Sequence, residues 1–366
     1  MSPIRALERA DLPAVAALHE LCVRSGRPIP PRGLDAYFAR TLLDCPWADP
    51  EIPSLVYTDE DGSVVGFQGS SVRRARFEGQ PIRIACAGPL VAHPRVRSRG
   101  VGAFLINAYM RGPQDLTIID GGTEQMREIW LLLGGEMAHL ECVGWARILR
   151  PWRFAYAHLR GRPDAPAPVR LALGALDGAT TRWVGRMAPP PERDLSAEPL
   201  TPTTLLEHAR AFGEHAALHI DYDEPYLRWL FDEVAAVHPR GTPVARLVRA
   251  PRDGRALGWY VYYLLPGGTS YVLALVAADR DVDPVLDHLL HHAWSGGATA
   301  VRGRIEPRLL EPLARRRCLM HYAGMALVHS HRREILDAIA AGRSQLTRLD
   351  GEWWMGPHVL AFPEGS

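Results

Sequence analysis

Apolar positions recur along the chain with two periods, about 3.6 and 2 residues, and the switches between them predict alternating helices and strands. Residues 4–7 predict a short strand. Asp11 then stands at an N-cap position with Pro13 in the first turn, and Leu12, Val15, Ala16, Leu18 and Cys22 follow at helical spacing. A helix is predicted over 33–44 and a strand over 54–58, closed by the turn Asp59-Glu60-Asp61-Gly62. Two long strands, 64–77 and 82–91, flank Glu78-Gly79-Gln80, and in the second Ile82, Ile84 and Cys86 share a face. The clearest helix spans 100–110, with Val101, Phe104, Leu105, Ala108 and Tyr109 on one stripe. A strand over 116–120, a helix over 124–133 stopped by Gly134-Gly135, and a strand over 137–149 complete the first half.

Residues 151–196 lose this rhythm. Pro163, Pro166, Pro168 and the run Pro189-Pro190-Pro191 predict a connecting segment with one short helical or strand piece inside it. From about Leu200 the alternation resumes. Helices are predicted over 203–212, 225–234, 284–294 and 308–316, and strands over 244–250, 258–265, 270–277, 300–305 and 320–329. The order of elements echoes the first half, which predicts a duplicated fold. A length of 366 residues fits two domains.

Composition narrows the chemistry. Hydrophobic residues make up 47% and charged residues 23%, the balance of a folded globular protein. All 42 basic residues are arginine. Without lysine there is no P-loop lysine, no kinase lysine and no Schiff base to a carbonyl compound. A net charge of +1 creates no overall field for nucleic acid or an anionic membrane. No apolar run approaches the ~18 residues of a membrane helix, and the first residues lack the apolar core of a signal peptide. Five scattered cysteines without a CxxC pair predict reduced thiols. The expected location is cytoplasmic, and the excess of Ala, Arg, Gly and Pro suggests a bacterial source.

The most informative stretch runs from Ala87 to Ala103 and contains His93-Pro94-Arg95-Val96-Arg97-Ser98-Arg99-Gly100-Val101-Gly102. A strand ends, and a loop with three arginines and two glycines opens directly into the clearest helix. Helix N-termini present unpaired N–H groups and the positive end of the macrodipole. Glycines allow close backbone approach and arginines add charge, so the loop reads as an anion site suited to a pyrophosphate.

Arg97-x-x-Gly100-x-Gly102 resembles the R/Q-x-x-G-x-G/A signature of the GNAT superfamily of acyl-CoA N-acyltransferases, in the same place between fourth strand and third helix. The elements over 4–149 follow that family's order. The resemblance implies that the backbone of Val96, Arg97, Ser98, Arg99, Gly100, Val101, Gly102 and Ala103 holds the coenzyme A pyrophosphate. It also implies that Leu90 and Val91 pair with the pantetheine and face the thioester. Many members carry a tyrosine four residues before the glycine that ends the fourth helix. Trp130 stands there, beside the coenzyme sulfur if the family geometry holds, and an indole cannot protonate a thiolate. Candidate bases for the acceptor are His93, Glu124 and Glu141.

The loop at the corresponding place in the second half, Ala278-Asp279-Arg280-Asp281-Val282-Asp283, has no glycine and three carboxylates, which would repel a pyrophosphate. It also fails as an EF-hand, because Pro284 stands where glycine is needed and Leu290 where the bidentate glutamate belongs. His215-x-x-x-His219 and the group His288, His291 and His292 lack a third ligand, and no metal site is expected. Trp353-Trp354 either caps the core or lines an acceptor cleft, with core favoured.

The expectation is therefore an α/β (α+β) protein of two GNAT-like domains, each a mixed, mostly antiparallel sheet flanked by helices. Residues 1–150 form the acyl-CoA-binding domain, 151–196 the connection, and 197–366 a degenerate copy that scaffolds or walls the acceptor site. The expected function is N-acyl transfer, foremost acetyl transfer, from acetyl-CoA or another acyl-CoA to an amine of a small molecule or peptide. The alternatives are an acyl-CoA-binding or interaction module without turnover, and a Fem-type aminoacyl-tRNA-dependent transferase, which also has two GNAT-like halves. Neither nucleic acid nor membrane is an expected partner.

Overall fold

The computed structural model describes residues 3–23, 33–160, 166–183, 195–213 and 216–356. The first part of the chain runs β1 (Ile4–Ala6), α1 (Leu12–Val23), α2 (Leu34–Phe38), β2 (Leu55–Thr58), β3 (Val64–Phe77) and β4 (Gln80–Ala92). It continues with α3 (Val101–Met110), β5 (Leu116–Gly122), α4 (Glu124–Leu132), β6 (Glu136–Met137) and β7 (Val143–Ile148). Two helices, α5 (Pro151–Arg160) and α6 (Ala167–Trp183), stand where one short piece is expected. Their contact is polar: the carboxylate of Asp177 accepts from the Trp152 N–H at 2.8 Å.

The remainder runs β8 (Ser196–Pro199), α7 (Pro202–Gly213), β9 (Leu218–Ile220), α8 (Glu224–Ala236), β10 (Thr242–Arg249), β11 (Ala256–Leu264) and β12 (Thr269–Ala277). After α9 (Val282–Ser295) come β13 (Ala300–Arg304), α10 (Leu310–Arg315), β14 (Leu319–Tyr322), β15 (Met325–His329), α11 (Arg333–Ala340) and β16 (Ser344–Gln345).

Two mixed, mostly antiparallel sheets result. The first has the order β1-β2-β3-β4-β5-β15-β6, with β9 on the far end of β3 and β16 beside β9. The second has the order β14-β7-β13-β12-β11-β10-β8. Each repeats one device, a single short parallel pairing at its centre: β4 with β5 and β12 with β13.

The two halves exchange strands. The stretch over 137–149 is broken by a turn at 139–142 into β6, which stays in the first sheet, and β7, which joins the second. The stretch over 320–329 breaks near Gly324, whose φ of 141° suits a residue without a side chain, into β14 in the second sheet and β15 in the first. A run of constant polarity carries no mark of such a break: β14 is apolar in sequence yet exposed, while β15 is mostly buried. The largest core cluster accordingly joins Ile84 and Leu116 of the first sheet to Leu247, Trp259 and Val276 of the second. Helix α3 lies close on the first sheet over Gly66, where a Cβ would come within 2.6 Å of the Val101 side chain.

Candidate functional site

Strands β4 and β5 pair only over Ile84–Cys86 and Leu116–Ile118. Beyond that they diverge, and a cavity of about 260 Å³ opens between Ala87–Leu90 on one side and Ile119–Gly122 on the other. Tyr37, Phe38, Thr41 and Leu42 close one end and Thr123 and Met126 the other. Leu90 belongs both to this cavity and to the surroundings of the arginine loop, since a Cβ on Gly102 would touch its side chain at 3.6 Å.

The loop itself is a 3₁₀ turn over Pro94–Arg99 that ends on Gly100 with φ 72°, and α3 starts at once. No side chain caps α3, so the N–H groups of Val101, Gly102 and Ala103 have no partner within the helix. Arg95, Arg97 and Arg99 are exposed around them. Arg99 donates to Asp59 at 3.2 Å and Arg97 to the Ala92 carbonyl at 3.3 Å. Free amides, a positive dipole end and three nearby guanidinium groups are chemically suited to an anion.

The floor of the cavity comes from the far end of the chain. Residues 347–356 cross behind β5, held by buried arginines. Arg73 donates to the Asp350 carbonyl at 2.9 Å, Arg240 donates to the Trp354 carbonyl at 3.1 Å, and Arg348 pairs with Asp120. Trp353 packs flat against Gly121, where φ is 118° and a Cβ would lie 2.3 Å from the indole. This crossing places Glu352 between the two diverging strands. Its Oε1 accepts from the Asp120 N–H at 3.0 Å and lies 3.5 Å from where a Cβ on Gly88 would be. Its Oε2 is shut away from solvent with no hydrogen-bond partner. Burial, reinforced by the neighbouring Asp120 carboxylate, pushes the Glu352 carboxyl up to about 8. A carboxylate poised near neutrality in a cavity is what proton transfer to or from a reacting group requires.

None of the three bases proposed from sequence lines this cavity. His93 is the N-cap of the 3₁₀ turn, its Nδ1 accepting from the Arg95 N–H at 3.2 Å. Glu124 lies in the exposed first turn of α4 and pairs with Arg127. Glu141 sits on the other side of Asp120, in a separate small cavity with Arg304, where burial raises its carboxyl. Trp130 is likewise not beside a ligand position. It is fully buried among Ile106, Tyr109 and Leu327, and its indole N–H donates to the Val328 carbonyl at 2.9 Å. Strand β15 arrives there from the second half of the chain and covers it, which no spacing in the first half reveals. Of the residues assigned to the coenzyme loop, Val96 and Val101 turn their side chains into a core cluster and Val91 into another, so only their backbone faces the loop. Trp354 is core and Trp353 lines the cavity, so the pair serves both roles.

In the second half the inner part of the corresponding divergence is filled: the space between β12 and β13 is a void of about 10 Å³, lined by Trp145, Arg304, Glu306 and Arg348 among others, too small to hold more than about one water. A cavity of about 210 Å³ lies farther out, edged by Ala277–Asp279 and Glu306–Arg308. Two of the three carboxylates in the Asp279–Asp283 loop have protein partners: Asp281 binds Arg255 at 2.6 Å, and Asp283 binds Arg315 at 2.6 Å. Arg308 donates to the Ala277 carbonyl at 3.1 Å, occupying the end of β12. His219 accompanies His215, which lies outside the described residues. His288 and His292 each contact a tyrosine hydroxyl through Nδ1, from Tyr260 and Tyr262.

No family model and no curated protein matches the sequence. Solved structures do match the fold. A conserved protein of unknown function from Enterococcus faecalis V583, described as a probable N-acyltransferase, superposes with TM-score 0.59 at 10% identity, over 89% of this chain and 72% of that one. A GCN5-related N-acetyltransferase from Kribbella flavida gives 0.56 at 15% identity, over 89% and 70%. One from Anabaena variabilis ATCC 29413 gives 0.56 at 11%, over 90% and 73%. With two mixed sheets, each splayed beside one short parallel pairing, and an uncapped helix following the splayed strand of the first, the chain has the fold of the GCN5-related N-acetyltransferases.

Proposed function

We propose that the chain is an acyl-CoA-dependent N-acyltransferase with one working site, in the first of two GNAT-like units spanning about 1–150 and 197–366. The observation that carries this reading is the continuity of the uncapped α3 loop with the cavity between β4 and β5. A pyrophosphate on the amides of Val101, Gly102 and Ala103 leaves the pantetheine arm to run along Leu90 into that cavity. The filled space between β12 and β13 supports a scaffolding role for the second unit. Its β15 completes the first sheet, and the 347–356 segment completes the first site.

The acceptor enters as an ammonium ion, and the Glu352 carboxylate takes one of its protons. The neutral nitrogen attacks the thioester carbonyl carbon, a C–N bond forms, and the C–S bond breaks with its electron pair on sulfur. The nitrogen's second proton passes to that thiolate, and Glu352 releases its own to solvent. No tyrosine at the Trp130 position is needed, because a thiolate with an ordinary thiol pKa of about 8.5 leaves readily and is protonated late. The same carboxylate favours turnover over a binding module. The free loop amides favour an acyl-CoA donor over an aminoacyl-tRNA.

The test is calorimetric titration with coenzyme A, paired with a thiol-release assay using acetyl-CoA and amines. Micromolar binding by wild type and its loss in Gly100→Glu are expected. Equal binding by that variant, still folded, rules out the loop as the pyrophosphate site.

A further inference from the structure

The cavity also restricts what the acceptor can be, an inference that rests on the transferase reading above. Its charged lining consists of two carboxylates, Asp120 and Glu352, and among the described residues no arginine or histidine lines it. Asp120 is already ion-paired: its Oδ1 is bound by Arg348 and by Arg304 at 3.4 Å, while its Oδ2 lies against the backbone of Gly351 with no hydrogen-bond partner. Glu352 differs in that no arginine pairs with it among the described residues, and its Oε2 is enclosed and unpaired as well. A buried carboxylate oxygen without a donor is costly, and a cation that supplies one recovers that cost.

The rest of the wall is apolar, with Phe38, Leu42, Ile119, Met126 and Trp353 prominent. A volume of about 260 Å³ lies at the compact end of ligand cavities, which start near ~300 Å³. At the ~30 Å³ share of a water molecule it holds on the order of nine water-sized groups, and the acyl carbon needs part of that space.

We propose that the acceptor is a compact primary amine carried on an apolar body, aromatic or branched, and bearing no carboxylate. One ammonium group meets Glu352, and the body meets the apolar wall. A carboxylate on the acceptor would be a further negative charge in a desolvated site with no facing cation. A second ammonium, as in a polyamine, would be left mostly against apolar wall, because Asp120 already holds Arg348 and Arg304.

The test titrates the full chain, with and without coenzyme A, with 2-phenylethylamine, L-phenylalanine, spermidine and 2-phenylethanol. Expected is at least tenfold tighter binding of 2-phenylethylamine than of the other three. Glu352→Gln should lose at least tenfold in affinity for the amine and nothing for 2-phenylethanol or coenzyme A. The comparison of amine with alcohol on wild type needs no variant, so poor folding of Glu352→Gln does not remove the test. Equal or tighter binding of L-phenylalanine or spermidine overturns the proposal, as does failure of 2-phenylethylamine to bind at millimolar concentration. The coenzyme titration reads the transferase proposal separately. A chain that binds the amine but not coenzyme A keeps the amine site and loses the transferase reading. One that binds coenzyme A but treats the four probes alike loses the amine site alone.

Discussion

Replacing Glu352 by Gln keeps the shape of the side chain and removes its ability to take a proton, so it separates chemistry from packing. Three charged groups set the behaviour of this carboxyl: Asp120 on β5, Arg73 on β3, and Arg348 in the preceding turn. Burial and Asp120 outweigh the arginines, and the carboxyl titrates near 8 instead of near its ordinary value of 4.5. In wild type kcat/KM should therefore climb with pH up to about 8 as Glu352 ionises. In Glu352→Gln that inflection should vanish and turnover should fall by roughly 10²–10⁴, the usual worth of one positioned acid or base.

Stability supplies a readout independent of catalysis. A carboxyl whose pKa is raised by folding holds its proton more tightly in the folded chain than in the unfolded one. Its contribution is thus fully present below the ordinary value and is lost as pH rises through the folded one. Between 4.5 and about 8, at about 1.4 kcal/mol per pKa unit, the ceiling is roughly 5 kcal/mol. Urea unfolding at pH 6 and pH 9 should show wild type losing a large part of that amount and the Gln variant losing less. A variant with wild-type turnover and an unchanged inflection near 8 would refute the assignment of Glu352 as the base.

Gly100→Glu should fold, at about 1–2 kcal/mol for a side chain at φ 72°, and lose at least a hundredfold in coenzyme A affinity by calorimetry. Coenzyme A should bind with a stoichiometry of one per chain, because only about 10 Å³ separates β12 from β13 and the outer cavity is edged by Asp279, without a glycine loop; two equivalents in the same titration would falsify the scaffolding role. Trp130→Phe should keep its turnover yet lose about 1–3 kcal/mol in urea unfolding, since it strands the buried Val328 carbonyl. A fragment ending at residue 150 should be unfolded by circular dichroism and regain structure when co-expressed with the remainder, because β15 is needed in its sheet and β7 in the other.

Much of the fold is legible from periodicity alone. The strand over 64–77 and the helix after Gly100 follow directly from apolar spacing, and the loop between β4 and α3 is recognisable because its chemistry is local. The partner of each strand is harder to read. A strand buried on both faces is apolar throughout, and nothing in 143–148 or 325–329 states which of two nearly equivalent sheets it will join. The connection was legible only in part, because prolines at 163, 166 and 168 mark a break but say nothing of the helices on either side.

The site divides along the same line between local and distant. The arginine loop is one contiguous stretch, whereas the carboxylate is set by three separated pieces: Gly88 on β4, the Asp120 amide on β5, and the 352 position. Asp350-Gly351-Glu352-Trp353-Trp354 does carry a signal, since two carboxylates beside two tryptophans predict burial of acid against aromatic surface. What converts that signal into a site is the set of arginines that pin the segment, and Arg73, Arg240 and Arg348 come from three distant parts of the chain. Their guanidinium groups bind the segment's own carbonyls and Asp120, not Glu352, which leaves that carboxylate as the one unneutralised acid on the cavity wall. The second half of the molecule thus completes the first sheet with β15 and the cavity with the closing segment, so both halves build one candidate site.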